Sequence, residues 1–306
     1  MNAVHIQRAR DRIVAGLAVF GVLLISATAT AETQRALPQT SAEIDALALR
    51  VAGSGGAIER AQRLVEWTNA TLDWTETDYQ QRTPEQIIQR GGGNCAELSS
   101  VLERLLRPAR IEYRWVAEIN VQPDSPERQA RAAERVTERG FGYSVFGEHH
   151  NDHRWLEIHD ERTGEWVPAD PSLGIIGTDR WLATRMALAT RTPPVVPAAA
   201  EILKEMIVPI TVLVPATKEH AAIDRSQHYL IDEFGNSAGG RVKQLPSWPG
   251  WVNGIHEFAP LAAGAFAGKL NLHEHTDLIE RLERIYSQLQ REYDNANTNA
   301  RVDVAR

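Results

Sequence analysis

The sequence is poor in cysteine, in lysine and in long apolar stretches. The shortages of cysteine and of apolar stretches each exclude a structural feature. A single cysteine, Cys95, excludes an internal disulfide. Acidic residues outnumber basic ones, giving a formal net charge of −7, which argues against a nucleic-acid partner because such partners require a basic face. No stretch reaches the roughly 20 apolar residues that a membrane-spanning helix needs.

The first 31 residues have the pattern of a secretory signal peptide. Three arginines before residue 13 form a basic start, residues 13–25 are mostly apolar, and Ala29 to Ala31 is an A-x-A cleavage site. We expect cleavage after Ala31 and a periplasmic or secreted protein with no stable membrane insertion after cleavage. The alternative is an uncleaved anchor, for which the apolar stretch is short. The preference for arginine over lysine suggests a GC-rich bacterial source.

A lone cysteine in an exported protein pairs with another chain, packs as a buried thiol, or reacts with a substrate. The residues around Cys95 favour reaction. Asn94, with Glu97 three positions later, predicts a capped helix that begins at the cysteine and continues as an apolar stripe to Leu106. A helix N-terminus favours a thiolate, and the glycines at 91–93 are expected to clear space for a substrate backbone. An ordinary core cysteine remains the alternative.

A second set of polar residues lies on a predicted β-hairpin, with strands at 153–159 and 165–170 and a turn around 161–164. If the turn centres between Glu161 and Arg162, His153 lies directly opposite Asp170, with Cβ atoms about 5 Å apart. The hairpin then has a core face and a face with polar and aromatic residues: the first carries Leu156, Ile158, Val167 and Ala169, and the second carries His153, Trp155, Glu157, Trp166 and Asp170.

These residues suggest a catalytic triad. A carboxylate orients an imidazole, and the imidazole deprotonates a nucleophile. Cys95, His153 and Asp170 suit these roles if the sheet lies against the start of the cysteine helix. For His153, the alternative is a histidine on the surface of the hairpin.

The histidines near the hairpin permit a different interpretation, a metal site. Its ligands would come from His149, His150, Asp152, His153 and His159. Because these residues lack a standard zinc spacing, the prediction is that the protein uses no metal and no cofactor.

The order of the motifs resembles the transglutaminase-like superfamily, a papain-related group of cysteine enzymes. The matching segments lie between residues 57 and 175 and read GGGNCAELSSVLERLLRPARIEYRWV, HRWLE and WVPADPS. The resemblance implies Cys95 as the nucleophile, His153 as the base and Asp170 as the orienting carboxylate. A charged insertion at 122–142 and Pro108 to Ile111, in place of the commoner Ala-Gly-Ile-Pro, depart from the family pattern without touching these positions.

The resemblance also implies how the oxyanion is bound. In this superfamily the backbone N–H of the cysteine meets it, often helped by an upstream tryptophan. Trp74 and Trp67 are the candidates, with core packing as the alternative for both. Asn94 and Trp155 are further supporting candidates.

The patterns predict an α+β fold in which the helix-borne cysteine packs against an antiparallel sheet, with a C-terminal extension that ends in a long helix over 276–293. The predicted organisation is a signal peptide (1–31), an N-terminal leader and short helix (32–56), a transglutaminase-like core (57–190), an extension of unknown role (191–295) and a disordered tail (296–306). The insertion at 122–142 is expected to be a solvated surface helix, with a lid over the site as the alternative.

We expect an exported cysteine enzyme that forms an acyl-thioester from a peptide or amide bond of a cell-envelope substrate, and hydrolyses it. A protein-crosslinking transglutaminase with an amine acceptor is one alternative. The other is a non-catalytic domain that binds envelope peptides. Nothing in the sequence determines the oligomeric state.

The signal peptide gives the first testable prediction. When the whole chain is produced in a bacterium with a periplasm, N-terminal sequencing of the released protein should begin at Glu32. Substituting Ala31→Trp should block processing because the cleavage site requires small residues. Released protein that still begins at Met1 would contradict the assignment.

Overall fold

The computed structural model describes residues 37–75, 80–121, 150–186 and 208–304. The predicted signal peptide and the insertion at 122–142 lie outside these residues. In the ranges described, none of the helices combines the length and hydrophobicity needed to cross a bilayer. The fold is α+β, as the sequence predicted.

Three of the four helices that precede the sheet begin after a residue whose side chain caps them. The four helices are α1 (Ser41–Ala52), α2 (Ala57–Thr71), α3 (Pro84–Arg90) and α4 (Cys95–Leu106). Thr40 and Thr83 cap α1 and α3, and each forms a capping box with the residue three positions later. The apolar faces of the four helices share one core, which includes Ile44, Leu64, Ile87, Leu98 and Leu102.

One antiparallel sheet organises the remainder of the described chain. Its strands are β3 (Tyr113–Val121), β4 (His150–Asp160), β5 (Glu165–Asp170), β6 (Ile175–Ile176), β7 (Val208–Val214) and β8 (Ile223–Asp224), in the spatial order β6-β5-β4-β3-β7-β8. Strand β7 belongs to the predicted extension, yet it pairs with β3 at the centre of the sheet. The extension therefore completes the sheet that carries the candidate site.

The hairpin register differs from the predicted one by two residues. Leu156 pairs with Ala169, and Ile158 pairs with Val167, whereas the sequence analysis paired Leu156 with Val167. The reason is a full four-residue turn: Gly164 has φ 76°, and its N–H donates to the carbonyl of Asp160 at 2.7 Å. This left-handed glycine moves the centre of the turn one residue along the chain.

A slip of two residues leaves each side chain on its predicted face. Leu156, Ile158 and Ala169 are buried against the helices α1 to α4, as expected. Asp170, however, no longer lies opposite His153. Continuing the register beyond the pair Leu156–Ala169 places Asp170 opposite Trp155. His153 and Asp170 are therefore diagonal neighbours and not direct cross-strand partners.

The C-terminal part of the chain covers the face of the sheet that lies opposite helices α1 to α4. It consists of α5 (Thr178–Arg185), a run of π, α and 3-10 turns (Gln227–Gln244), α6 (Trp248–Phe266), a 3-10 turn (Leu272–His275) and α7 (Thr276–Val304). Trp251 of α6 packs on Tyr286 of α7, with ring centroids 5.7 Å apart. Helix α7 continues to Val304, beyond Asn295, where the sequence analysis places a disordered tail.

The glycines before Cys95 have a structural role in the fold. A short strand, β1 (Asp73–Trp74), pairs in parallel with β2 (Gly92–Gly93). A Cβ on Gly92 would lie 2.3 Å from the carbonyl oxygen of Asp73, and one on Gly93 would lie 2.7 Å from the Cβ of Glu97. The glycines thus admit the protein's own chain, a role that the sequence analysis did not foresee, and the expectation that they clear space for a substrate stays a prediction.

This close approach predicts that Gly92→Ala destabilises the fold by about 1–3 kcal/mol, since the methyl group must displace a backbone carbonyl. Urea unfolding measures the change. The matched control is Gly250→Ala in α6, where a Cβ meets only Ile285, at 3.6 Å, and where alanine should stabilise the helix by about 0.5–1 kcal/mol. Equal stability of Gly92→Ala and wild type would show that β1 and β2 are not packed as described.

Candidate active site

Cys95 lies at the first position of α4, inside the capping box expected from the sequence. The Asn94 side-chain oxygen accepts hydrogen bonds from the N–H groups of Ala96 (3.0 Å) and Glu97 (3.1 Å), and the Glu97 carboxylate accepts one from the N–H of Asn94 (3.0 Å). The thiol is half-buried. The N–H of a first helical residue has no acceptor within its own helix, so that of Cys95 is directed out of the helix N-terminus.

A buried ion pair stabilises this helix start. Glu97 is about nine-tenths buried and lies 2.9 Å from the guanidinium of Arg82. A second guanidinium, that of Arg90, lies 3.8 Å away. Since Glu97 also closes the capping box, these contacts hold the turn that presents the cysteine.

His153 and Asp170 form a short polar contact. Nε2 of the histidine lies 2.6 Å from Oδ2 of the fully buried aspartate. The other carboxylate oxygen accepts from the hydroxyl (2.6 Å) and N–H (3.0 Å) of Ser172 and from the N–H of Leu173 (3.3 Å). Both oxygens are therefore engaged, and the carboxylate has one orientation.

Helix α2 supports the loop that follows Asp170. The Asn69 amide donates to the carbonyls of Pro171 (3.1 Å) and Ser172 (3.2 Å). Gly174 adopts a left-handed φ of 65°, and a Cβ there would lie 2.8 Å from Asn69. Sequence reasoning did not identify Asn69 or Ser172 as part of the site, although Asp-Pro-Ser has the spacing of an Asx turn.

The imidazole of His153 connects the carboxylate to the thiol. Its Nε2 atom meets Asp170, and the ring also interacts with Cys95. Burial lowers the pKa of His153, but the negative charges of Asp170 and of a Cys95 thiolate outweigh it and raise the pKa well above its usual value. The arrangement therefore favours a protonated imidazole beside Cys95 at neutral pH.

A further contact joins the cysteine helix to the histidine strand. The Ser99 hydroxyl, one helical turn after Cys95, donates to the carbonyl of Arg154 at 3.0 Å. Arg154 follows His153 directly, so this hydrogen bond sets the distance between the two candidate catalytic residues. Ser99 is fully buried.

The three tryptophans considered for the oxyanion have different surroundings. Trp155 is fully buried against Trp181 and Tyr229, and its indole N–H donates to Glu118 at 3.2 Å, so that donor is not available to a substrate. Trp67 packs against the helical core. Trp74 is 39% exposed and pairs with Gly93, two residues before the cysteine. Of the three, Trp74 alone is exposed, and its strand pairs with the glycines that precede the cysteine.

The histidines proposed as alternative metal ligands are not gathered in the described part of the chain. No cluster of three or more His, Cys, Asp or Glu side chains there could hold a metal ion. His153 is engaged by Asp170, and His159 lies 3.1 Å from Glu112. His149 and the side chain of His150 lie outside the described residues.

Two buried charges beside His153 were not anticipated. Glu118 of β3 is the cross-strand partner of His153 and is fully buried. Its carboxylate accepts from the guanidinium of Arg185, in the last turn of α5. Burial lowers the pKa of Arg185 to about 10, an effect that a negative charge on Cys95 opposes. The sequence offered one signal for this pair, which was the position of Glu118 as the single acidic residue in the apolar half of a predicted strand.

The family comparison agrees with the motifs and with this geometry. The model of the transglutaminase-like superfamily matches residues 45–171, which include Cys95, His153 and Asp170. These residues are similar to the core of that superfamily. A core of this type supports a cysteine enzyme in general, without specifying its reaction. None of the curated proteins matches the chain.

Two solved structures are similar to parts of this chain. One is a "putative cysteine protease" from Cytophaga hutchinsonii, with 14% identity over 45% of this chain and 41% of that chain, at a TM-score of 0.30. The other is Rad4–Rad23 bound to a 6-4 photoproduct UV lesion, with 11% identity over 83% of this chain and 53% of that chain, at a TM-score of 0.31. The chain thus spans about half of these structures or less.

The contact between His153 and Asp170 predicts the effect of Asp170→Asn. Without the carboxylate, burial dominates and the pKa of His153 should fall, which an NMR titration of the ring protons measures. Acylation should slow by at least about tenfold. The equivalent change costs about 10⁴-fold in a serine protease triad, and a thiol, being more acidic than a hydroxyl, should lose less.

Stability supplies a second measurement on the same variant. A raised pKa in the folded state means that protonated His153 stabilises the fold fully below its usual pKa, and that this contribution is lost as pH rises through the raised value. The difference in free energy of unfolding between wild type and Asp170→Asn should therefore shrink as pH rises from the usual pKa of histidine to the raised pKa of His153. The exposed Asp179→Asn is the control of equal charge change. Unchanged acylation in Asp170→Asn would remove Asp170 from the mechanism.

Proposed function

We propose that this protein is an exported cysteine hydrolase that cleaves a peptide or amide bond of cell-envelope material through an acyl-thioester. One observation carries the proposal: a half-buried thiol at a helix N-terminus interacts with an imidazole, which in turn contacts a buried carboxylate at 2.6 Å. Nucleophile, base and orienting group in this order are the parts that acyl transfer needs. The predicted signal peptide supports export.

The first half-reaction forms the thioester. The Cys95 thiolate attacks the amide carbonyl carbon, and the electron pair of the C=O bond moves to oxygen. The backbone N–H of Cys95, at the helix N-terminus, is placed to bind this oxyanion, and Trp74 lies beside it. Collapse of the intermediate breaks the C–N bond, and the His153 imidazolium donates a proton to the departing amine.

The second half-reaction consumes water. Neutral His153 removes a proton from a water molecule as the oxygen attacks the thioester carbon. The C–S bond then breaks, a carboxylic acid leaves, and the Cys95 thiolate and the His153 imidazolium are restored. Asp170 holds the ring in one orientation throughout and stabilises its protonated form.

Hydrolysis is preferred to crosslinking because water needs no binding site of its own. Transfer to an amine requires a second entrance that holds the amine and excludes water. The polar segment at 122–142 is the candidate wall of such an entrance, and its composition favours the admission of water. That segment lies outside the described residues, so the preference rests on its sequence.

A reaction in oxygen-18 water separates the two outcomes. The mature protein is incubated with an envelope protein extract and a tagged primary amine, and the products are analysed by mass spectrometry. Hydrolysis should place one heavy oxygen in each new carboxyl group, without incorporation of the tag. The reaction should disappear in Cys95→Ser and persist in the exposed-site control Asp179→Asn.

Two results would overturn the proposal in different ways. Tag incorporation that depends on Cys95 would make the protein a crosslinking enzyme. Absence of both products, although native Cys95 is readily alkylated, would favour the domain that binds envelope peptides without turnover.

A further inference from the structure

The charges around Cys95 are arranged in two similar pairs. The first is His153 with Asp170 behind it, at 2.6 Å. The second is Arg185 with Glu118 behind it. In each pair a buried carboxylate holds a cation, and both cations attract a negative charge on the cysteine. The proposed mechanism uses only the first pair.

The position of the second pair follows from the sheet register. Glu118 and His153 are direct partners on β3 and β4, so they share one face of the sheet. Glu118 is also engaged by the indole N–H of Trp155 at 3.2 Å and the amide of Asn120 at 3.3 Å. These contacts prevent Glu118 from turning away, and the guanidinium that it binds stays next to the histidine.

Arg185 retains a donor that the ion pair does not use. Its side chain is 4% exposed, and within the described structure its Nε is buried without a hydrogen-bond partner. Burying a guanidinium is costly, and a buried ion pair is weak evidence for a role in stability. A buried cation with an unused donor, held on the same side of the sheet as His153, is better explained by a negative charge that it meets at the site.

We propose that Arg185, held by Glu118, is a positioning residue that stabilises the Cys95 thiolate alongside the His153 imidazolium. The charged groups around the thiol are then His153 on β4, Arg185 on α5, and Glu97 on its own helix, with Asp170 and Glu118 behind the two cations. Glu97 is neutralised by Arg82 at 2.9 Å. Two cations therefore act on one thiolate. The inference rests on the proposed thiol chemistry and extends it.

The test measures the rate at which iodoacetamide, an uncharged reagent, alkylates Cys95 in the folded protein as a function of pH. The intact mass of the protein reports the extent of alkylation. In Arg185→Met the pH of half-maximal rate should rise by about one unit, the low end of the effect of a nearby opposite charge. The rate at pH 6 should then fall by about tenfold, while the plateau at high pH does not fall. Arg185→Lys keeps the charge and should restore most of the rate at pH 6.

The matched control is Arg225→Met. Arg225 also pairs with a fully buried carboxylate, that of Glu157, at 3.0 Å, and its substitution should leave the alkylation profile unchanged. If Arg185→Met does not fold, the double variant Glu118→Gln/Arg185→Met removes both charges together, and the same shift is expected from it.

The outcomes separate this inference from the proposed function. A wild-type Cys95 that is alkylated at pH 6 no faster than a free-cysteine peptide would overturn the thiol chemistry itself. A reactive wild type with an unshifted profile in Arg185→Met, or in the double variant, would overturn the role of Arg185 alone. An equal shift in Arg225→Met would also overturn it, since the effect would then be structural.

Discussion

The geometry of the candidate site depends on one buried group, the carboxylate of Asp170. An ionised carboxylate without partners in the protein interior is too costly to persist, so each of its oxygens must be met by donors. Ser172 and Leu173 meet one oxygen and His153 meets the other. Satisfying Asp170 therefore orients the imidazole, which also interacts with Cys95.

The same requirement recurs on the neighbouring strands. Glu118 and Glu157 are fully buried, and each is paired with arginine: Arg185 for the first, Arg114 and Arg225 for the second. Tyr229 adds a hydroxyl at 2.6 Å from Glu157. The partners Arg185, Arg225 and Tyr229 come from the C-terminal half of the chain. Helix α5 and the extension thus supply cations and donors without which the polar face of the central strands could not be buried.

Local signals in the sequence predicted the features that short segments determine. The capping box at Asn94, the apolar stripe of α4 and the two faces of the hairpin all arise from residues a few positions apart, whose geometry repeats from protein to protein. The register was predicted two residues out because it depends on how many residues the turn contains. Gly164 adopts a left-handed conformation and lengthens that turn, and the flanking pattern of period two does not reveal a slip of two.

The sequence by itself determined which chemistry is available: one thiol at a helix start, one histidine and one aspartate on adjoining strands, and the family to which the core between residues 45 and 171 is similar. Only the tertiary structure decided which other residues join them. Glu118 and Arg185 are 67 positions apart, as the chain must pass through β4, β5 and α5 before they meet. Trp155 matched the family motif, yet its N–H is committed to Glu118. Contacts of this kind follow from how whole elements pack, because burial requires each polar group to find a partner wherever the fold provides one.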